Sequence, residues 1–182
     1  MAADPKPRYT RGMLHLSGMI INRPILSLRT GTEVGTALAP IIDPNNLKIE
    51  GFFCRNGRKR PVLVTRDIRD VLPQGIVVND EEALTEPEDL VRLKDLIQIN
   101  FELLGKPVET VGKQKLGKVE DYSTETESMI IKKLYVAQPI YKSLGGGNLG
   151  VDRTQIVEIT DKKIIVNDLD SKVPAHAGAA VA

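Results

Sequence analysis

A mainly β chain is the fold class this sequence predicts: two small β-barrels joined by a helix-containing linker. Three observations predict it. Short apolar runs alternate with Gly-rich and polar breaks at roughly ten-residue spacing, the signature of small closed or partly closed barrels. The chain repeats itself. One helical periodicity stands between the two copies. Over 182 residues, 41% hydrophobic content supplies one moderate core or two small ones. The division this suggests is a disordered start over 1–12, a first unit over 13–80, an acidic linker helix over 81–97, a second unit over 98–170 and a disordered tail over 171–182.

The repeat is clearest at the unit ends. Ile68-Arg-Asp-Val-Leu-Pro-Gln-Gly-Ile-Val-Val-Asn-Asp80 aligns with Ile156-Val-Glu-Ile-Thr-Asp-Lys-Lys-Ile-Ile-Val-Asn-Asp168 at an offset of 88, with five of 13 positions identical. Earlier in each unit, Arg23-Pro-Ile matches Lys106-Pro-Val at an offset of 83, and Val34-Gly35 matches Leu116-Gly117 at 82. Leu47, Ile49, Phe52 and Phe53 fall opposite Met129, Ile131, Leu134 and Tyr135. Small loop insertions account for the drift, because loops tolerate changes of length.

Within the second unit the elements follow in order. Val108 to Val111 reads as a strand, and Gly112-Lys-Gln-Lys as the turn after it. Leu116 to Val119 opens the next strand. Glu125-Thr-Glu-Ser breaks it, and Met129 to Val136 resumes. Thr154–Ile159 and Lys163–Val166 form a closing pair. Closure into a barrel would hide strand edges that otherwise template aggregation. Between the units, Thr85-Glu-Pro-Glu88 fits a capping box with Thr85 as N-cap, and Leu90, Leu93 and Ile97 recur at helical spacing. The spacing predicts a helix that lays this stripe on a barrel.

Leu104-Gly-Lys-Pro-Val-Glu-Thr-Val-Gly-Lys-Gln-Lys-Leu-Gly-Lys-Val-Glu-Asp-Tyr122, followed by a strand and by the Ile-Val-Glu-Ile…Ile-Ile-Val-Asn-Asp168 ending, resembles the PRC-barrel family. The resemblance covers residues 98–170. The first unit is a degenerate copy, with Leu38, Ala39 and Pro40 where Glu120, Asp121 and Tyr122 stand in the second. The resemblance implies a six-stranded PRC-type barrel for each unit and a role in binding other macromolecules. The family includes the cytoplasmic domain of the photosynthetic reaction-centre H subunit and the C-terminal domain of the ribosome maturation factor. Neither specific function follows from the fold alone.

The inventory points away from chemistry. One cysteine forms no intramolecular disulfide, so a reducing cytoplasm suits the chain, and Cys54 reads as a small buried hydrophobe. His15 and His176 stand apart from any nucleophile or second ligand. HExxH, GxSxG and GxxxxGK[ST] are missing. No catalytic residue, metal ligand or cofactor is therefore expected. No apolar run reaches membrane-spanning length, and the start of the chain lacks the apolar core of a secretory signal. Gly145, Gly146, Gly147, Asn148, Leu149 and Gly150 satisfy G-x-G-x-x-G, but the residues that follow continue as β. A helix must receive the pyrophosphate, so the stretch reads as a loop, with Gly145, Gly146, Gly147 and Asn148 as a candidate binding loop.

The sharper signal is electrostatic. Arg55, Arg58, Lys59, Arg60, Arg66 and Arg69 fall within fifteen residues, opposed only by Asp67. Arg58, Lys59 and Arg60 follow Asn56-Gly57, so an exposed turn is expected to carry them toward an anionic surface. No aromatic platform accompanies them, and sequence-specific reading of a nucleic acid is not expected. The net charge of +1 separates by segment: +6 over 1–79, −5 over 80–95 and zero over 96–182. The acidic stretch is placed to fold against the basic one. The function expected is a non-enzymatic adaptor docking a protein or ribonucleoprotein. The alternatives are a maturation-factor-like role in RNA processing, and a small-ligand binder or enzyme.

Overall fold

The duplication reappears as hydrogen-bond register. The computed structural model describes residues 13–138 and 148–168. Its strands in the first half are β1 (Leu14–Leu16), β2 (Arg23–Ser27), β3 (Glu33–Asp43), β4 (Lys48–Arg55), β5 (Val62–Val64), β6 (Ile68–Leu72), β7 (Gly75–Val78) and β8 (Leu84–Thr85). After the short helix α1 (Lys94–Ile99) come β9 (Pro107–Thr110), β10 (Lys115–Glu125), β11 (Ile130–Ala137), β12 (Leu149–Asp152), β13 (Ile156–Ile159) and β14 (Ile164–Val166). The expected mainly β class holds, and these strands form one mixed sheet.

Each half is a six-stranded strip, ordered β6-β7-β2-β3-β4-β5 and β13-β14-β9-β10-β11-β12. In β3–β4 the partners run from Thr36↔Arg55 to Asp43↔Lys48. In β10–β11 they run from Lys118↔Ala137 to Glu125↔Ile130, every pair displaced by 82 and both bulges reproduced. The closing hairpins match at 88, as in Ile68↔Val78 and Ile156↔Val166. Both strips contain one parallel pairing, β2 with β7 and β9 with β14. The bulge between Val119 and Asp121 explains an apparent break in alternation. It lets both Val119 and Tyr122, three apart, turn into the core.

Closure into two separate barrels is not what the hydrogen bonds show. Among the described residues no ladder joins β5 to β6, although only a single 3-10 turn (Thr65–Asp67) separates them in the chain. The strips merge instead where β4 meets β11. Ile49 N–H donates to the Met129 carbonyl at 2.8 Å, and Ile131 N–H donates to the Leu47 carbonyl at 2.9 Å. The bridging pair Lys48↔Ile130 are themselves equivalent positions at offset 82, so the halves meet as the subunits of an isologous dimer do. Leu47 and Met129 are both buried and both left-handed, with φ of +52° and +55°. Such strain persists in non-glycine residues only where the surroundings over-determine it.

Each half's lead-in segment covers the other half. β1 adds to β10 through Leu14↔Glu125, His15↔Thr124 and Leu16↔Ser123, and Ser17 N–H donates to the Asp121 carboxylate at 3.2 Å. The lead-in of the second half contains α1, whose Leu96 and Ile97 pack with Leu90 and Leu93 on Ile41, Phe53, Val62 and Val64. The expected stripe therefore lies on the first half. Its helix starts later than expected, however. Thr85 is not an N-cap: it belongs to β8 and pairs with Val62. Residues Pro87–Asp89 and Val91–Leu93 form 3-10 turns, and regular α-helix begins only at Lys94. A sheet edge outcompeted the capping box for Thr85. One continuous apolar cluster, including Ile25, Phe52, Ile76, Val108, Leu134 and Ile164, fills both halves. Full burial of each such side chain contributes about 1.5–3 kcal/mol.

Candidate partner-binding surface

The basic run is divided by the fold. β4 turns its apolar residues Ile49, Phe52 and Cys54 inward and ends on the exposed Arg55, opposite Thr36 of β3. The chain then reverses over Asn56–Lys59, with Lys59 N–H donating to the Asn56 carbonyl at 3.0 Å and Asn56 N–H donating back at 3.3 Å. Gly57 takes φ +59° as the first central residue, a position where tight hairpin turns favour glycine. Cys54 N–H donates to the Pro61 carbonyl at 2.8 Å and fixes the base of the hairpin. Arg55, Arg58, Lys59 and Arg60 are therefore brought together, exposed, on a hydrogen-bonded two-stranded support. Arg55, Arg58 and Arg60 make no ion pair with any described residue.

Arg66 and Arg69 are exposed but stand apart from this tip. β5 runs from the hairpin to the turn carrying Arg66, whose guanidinium lies 3.7 Å from the Asp67 carboxylate. Arg69 Nε donates to Asn79 Oδ1 at 2.7 Å. Sequence proximity grouped six cations, whereas the strand between them separates four from two.

The acidic stretch does reach the hairpin. β8 lies antiparallel on the outer edge of β5, and this sets Glu86 3.7 Å from Lys59. Both side chains remain largely exposed, so the pair is worth at most about 1 kcal/mol and leaves the tip strongly basic. The sequence reading missed β8 and the particular role of Glu86. The available signal was Leu84-Thr85, an apolar and a β-branched residue ahead of the first proline of the linker.

Of the candidate loop, Gly145, Gly146 and Gly147 lie outside the described residues. Asn148 is exposed and immediately precedes β12. No helix follows Gly150; Val151 and Asp152 continue the strand. The register locates the length difference between the copies here. Arg55 matches Ala137 at offset 82 and Val62 matches Gly150 at 88, so the insertion falls wholly between β11 and β12.

The remaining titratable side chains of note are buried or lie outside the described residues. Burial pushes the Cys54 thiol up to about 11, partly offset by a hydrogen bond from the Leu63 backbone, and Sγ donates to the Phe52 carbonyl at 3.2 Å. Burial, and secondarily the Asp121 charge, hold the Tyr122 phenol above its ordinary range. His15 is the inward-facing middle residue of β1, with Nδ1 unpartnered, and the Ser123 and Thr124 hydroxyls of the neighbouring β10 share that condition. His176 lies outside the described residues. Among the described residues no cluster of three or more His, Cys, Asp or Glu side chains is placed to hold a metal, and no helix is long and apolar enough to cross a membrane. In comparisons with known proteins, neither a family model nor a curated sequence matches the chain.

Proposed function

We propose that this chain is a non-enzymatic docking protein of two PRC-barrel-like units, whose Arg55–Arg60 hairpin engages an anionic face of a cytoplasmic protein or ribonucleoprotein partner. The observation that carries the reading is the hairpin itself. Three guanidiniums, Arg55, Arg58 and Arg60, without an ion pair to any described residue stand on a tip braced by the buried core strand β4. Guanidinium groups bind carboxylate and phosphate with two parallel hydrogen bonds, so an unpaired cluster is chemically suited to either. The barrel-like reading draws on the two equivalent strips, in each of which the outermost strands are consecutive in the chain and joined by one 3-10 turn. The apolar filling of the core supports a scaffold rather than a reaction chamber.

Affinity capture from native lysate at near-physiological salt tests it, comparing wild type with R58E/K59E/R60E. A partner retained by the wild type and lost by the triple variant is the expected result. Identical capture by both proteins refutes the hairpin as the docking surface. Sucrose-gradient sedimentation separates the partner classes: a maturation-factor-like role requires co-migration with ribosomal particles.

A further inference from the structure

The β5 edge beside the hairpin is already occupied by a short acidic stretch of the chain itself. β8 contributes only Leu84 and Thr85, paired antiparallel with Leu63 and Val62. Residues 81–92 include no buried side chain, and firm anchoring resumes only at Leu93. The strip does not need this extra strand. Its equivalent in the second half, β12, has no strand on its outer edge among the described residues. What β8 and the residue after it do instead is present two side chains in sequence. Leu84 Cδ1 comes within 3.2 Å of where a Cβ on Gly35 would stand, so it fills the recess that the glycine leaves. Two residues on, Glu86 meets Lys59 of the hairpin, and Glu88 and Asp89 follow, exposed.

We propose that residues 81–90 are a tethered pseudo-ligand, and that the partner docks by displacing them with an extended acidic peptide of its own. This rests on the reading of the hairpin as the partner-binding surface. The peptide adds antiparallel to β5, sets an apolar side chain over Gly35 and places a carboxylate two residues later against Lys59, with further acids facing Arg58 and Arg60. Main-chain pairing supplies affinity and alternate side chains supply selectivity, as in other strand-addition complexes. Charge complementarity names the occupant: residues 1–79 carry +6 and the tethered stretch, with its flanks over 80–95, carries −5. An apolar recess beside a free backbone edge reads a peptide, and a polyanion without a backbone ladder uses neither. The tether lowers apparent affinity, because an intramolecular competitor acts at a high effective concentration.

The test uses the full chain and a fluorescently labelled peptide of its own residues 81–90, followed by anisotropy at physiological salt. E86K alone and L84S/E86K loosen the stretch, and thermal melting confirms folding of each. The expected result is binding at least about tenfold tighter to the loosened variants than to wild type, and loss of that binding when R58E/K59E/R60E is added. Equal affinity of wild type and both variants overturns the inference, as does an absence of binding to all of them. A gain confined to polyuridylate RNA, with none for the peptide, overturns it also. The underlying reading fails separately: it falls if the triple hairpin variant still captures the partner, whatever the loosened variants do.

Discussion

Gly117 is the glycine of the Leu-Gly-Lys-Val stretch, and replacing it with alanine tests what that motif is for. Its φ is +146°, a region that side-chain-bearing residues rarely enter. A Cβ added there would sit 1.9 Å from the Ala137 carbonyl oxygen and 2.8 Å from its carbon, both backbone atoms of the facing strand β11. The strained conformation costs about 1–2 kcal/mol. The forced separation of β10 from β11 adds about 1–3 kcal/mol, as overpacking does elsewhere. A loss of roughly 2–5 kcal/mol corresponds to a fall in Tm of about 5–15 °C for a chain of this size. Gly35, the equivalent residue of the first half, supplies an internal comparison. Its Cβ would meet the Arg55 carbonyl oxygen at 3.0 Å and Leu84 at 3.2 Å, without a positive φ, so Gly35→Ala is expected to cost about 1 kcal/mol. Gly18, with nothing within 4 Å, is the neutral control. Urea and thermal unfolding of the three alanine variants give the order Gly117, then Gly35, then Gly18. A Gly117→Ala protein as stable as wild type would refute the reading of the motif as a device for close strand approach.

Three further outcomes follow from the same structure. Thr124→Val removes a fully buried hydroxyl without a partner and keeps the branched shape, so it should stabilise by about 1 kcal/mol and raise Tm; a destabilised variant would mean the hydroxyl is satisfied. Cys54, with its thiol pushed up to about 11 by burial, should resist a colourimetric thiol reagent at pH 8 in native protein and react at once in urea; stoichiometric native labelling would contradict the packing of β4. Asp152 caps the 3-10 turn Arg153–Gln155, and hydrogen bonds from the Thr154 backbone and hydroxyl hold its carboxyl below the ordinary range. A lowered carboxyl stabilises above its unfolded pKa and loses that contribution as pH falls through the folded value. Asp152→Ala should therefore cost about 0.5–1 kcal/mol at neutral pH, with the difference shrinking below about pH 4. A constant difference across that window would assign the loss to something other than the charged cap.

The repeat was legible because it is written in buried residues. Ile76, Val78, Ile164 and Val166 face the core, and Asn79-Asp80 and Asn167-Asp168 directly follow β7 and β14, so their spacing maps directly onto register. The junction of the halves was not legible. Its direct strand contact is a set of backbone hydrogen bonds around Lys48 and Ile130, and backbone groups carry no residue signature. The same limit explains the linker. Thr85-Glu-Pro-Glu88 satisfies the local chemistry of a helix start, but the unpaired β5 edge, far away in sequence, offers Thr85 a ladder instead. For the site, residue type identified the cations, while topology decided which of them share a surface. Arg58 and Arg66 are close in the chain and lie at opposite ends of β5.

The two copies also differ at one place more than at any other. The pairings they share agree in register, including the bulges, from β2–β3 through β6–β7 and from β9–β10 through β13–β14. A scaffold that retains each pairing has little freedom in its strands. The principal departure falls at one equivalent place, the connection between the fourth and fifth strands in the numbering of the first half. There one copy carries the tight basic turn Asn56–Arg60, and the other carries the longer glycine-rich stretch ending at Asn148. A solvated turn with no role would gain nothing from the guanidiniums of Arg58 and Arg60, left without ion pairs to any described residue, since like charges crowded together repel. A docking tip does gain, because a partner's anions supply the missing pairs. If that is the reason for the charges, neutralising Arg58 and Arg60 to glutamine should leave the chain as stable or slightly more stable while weakening partner capture. A loss of stability alongside unchanged capture would return the hairpin to a structural role.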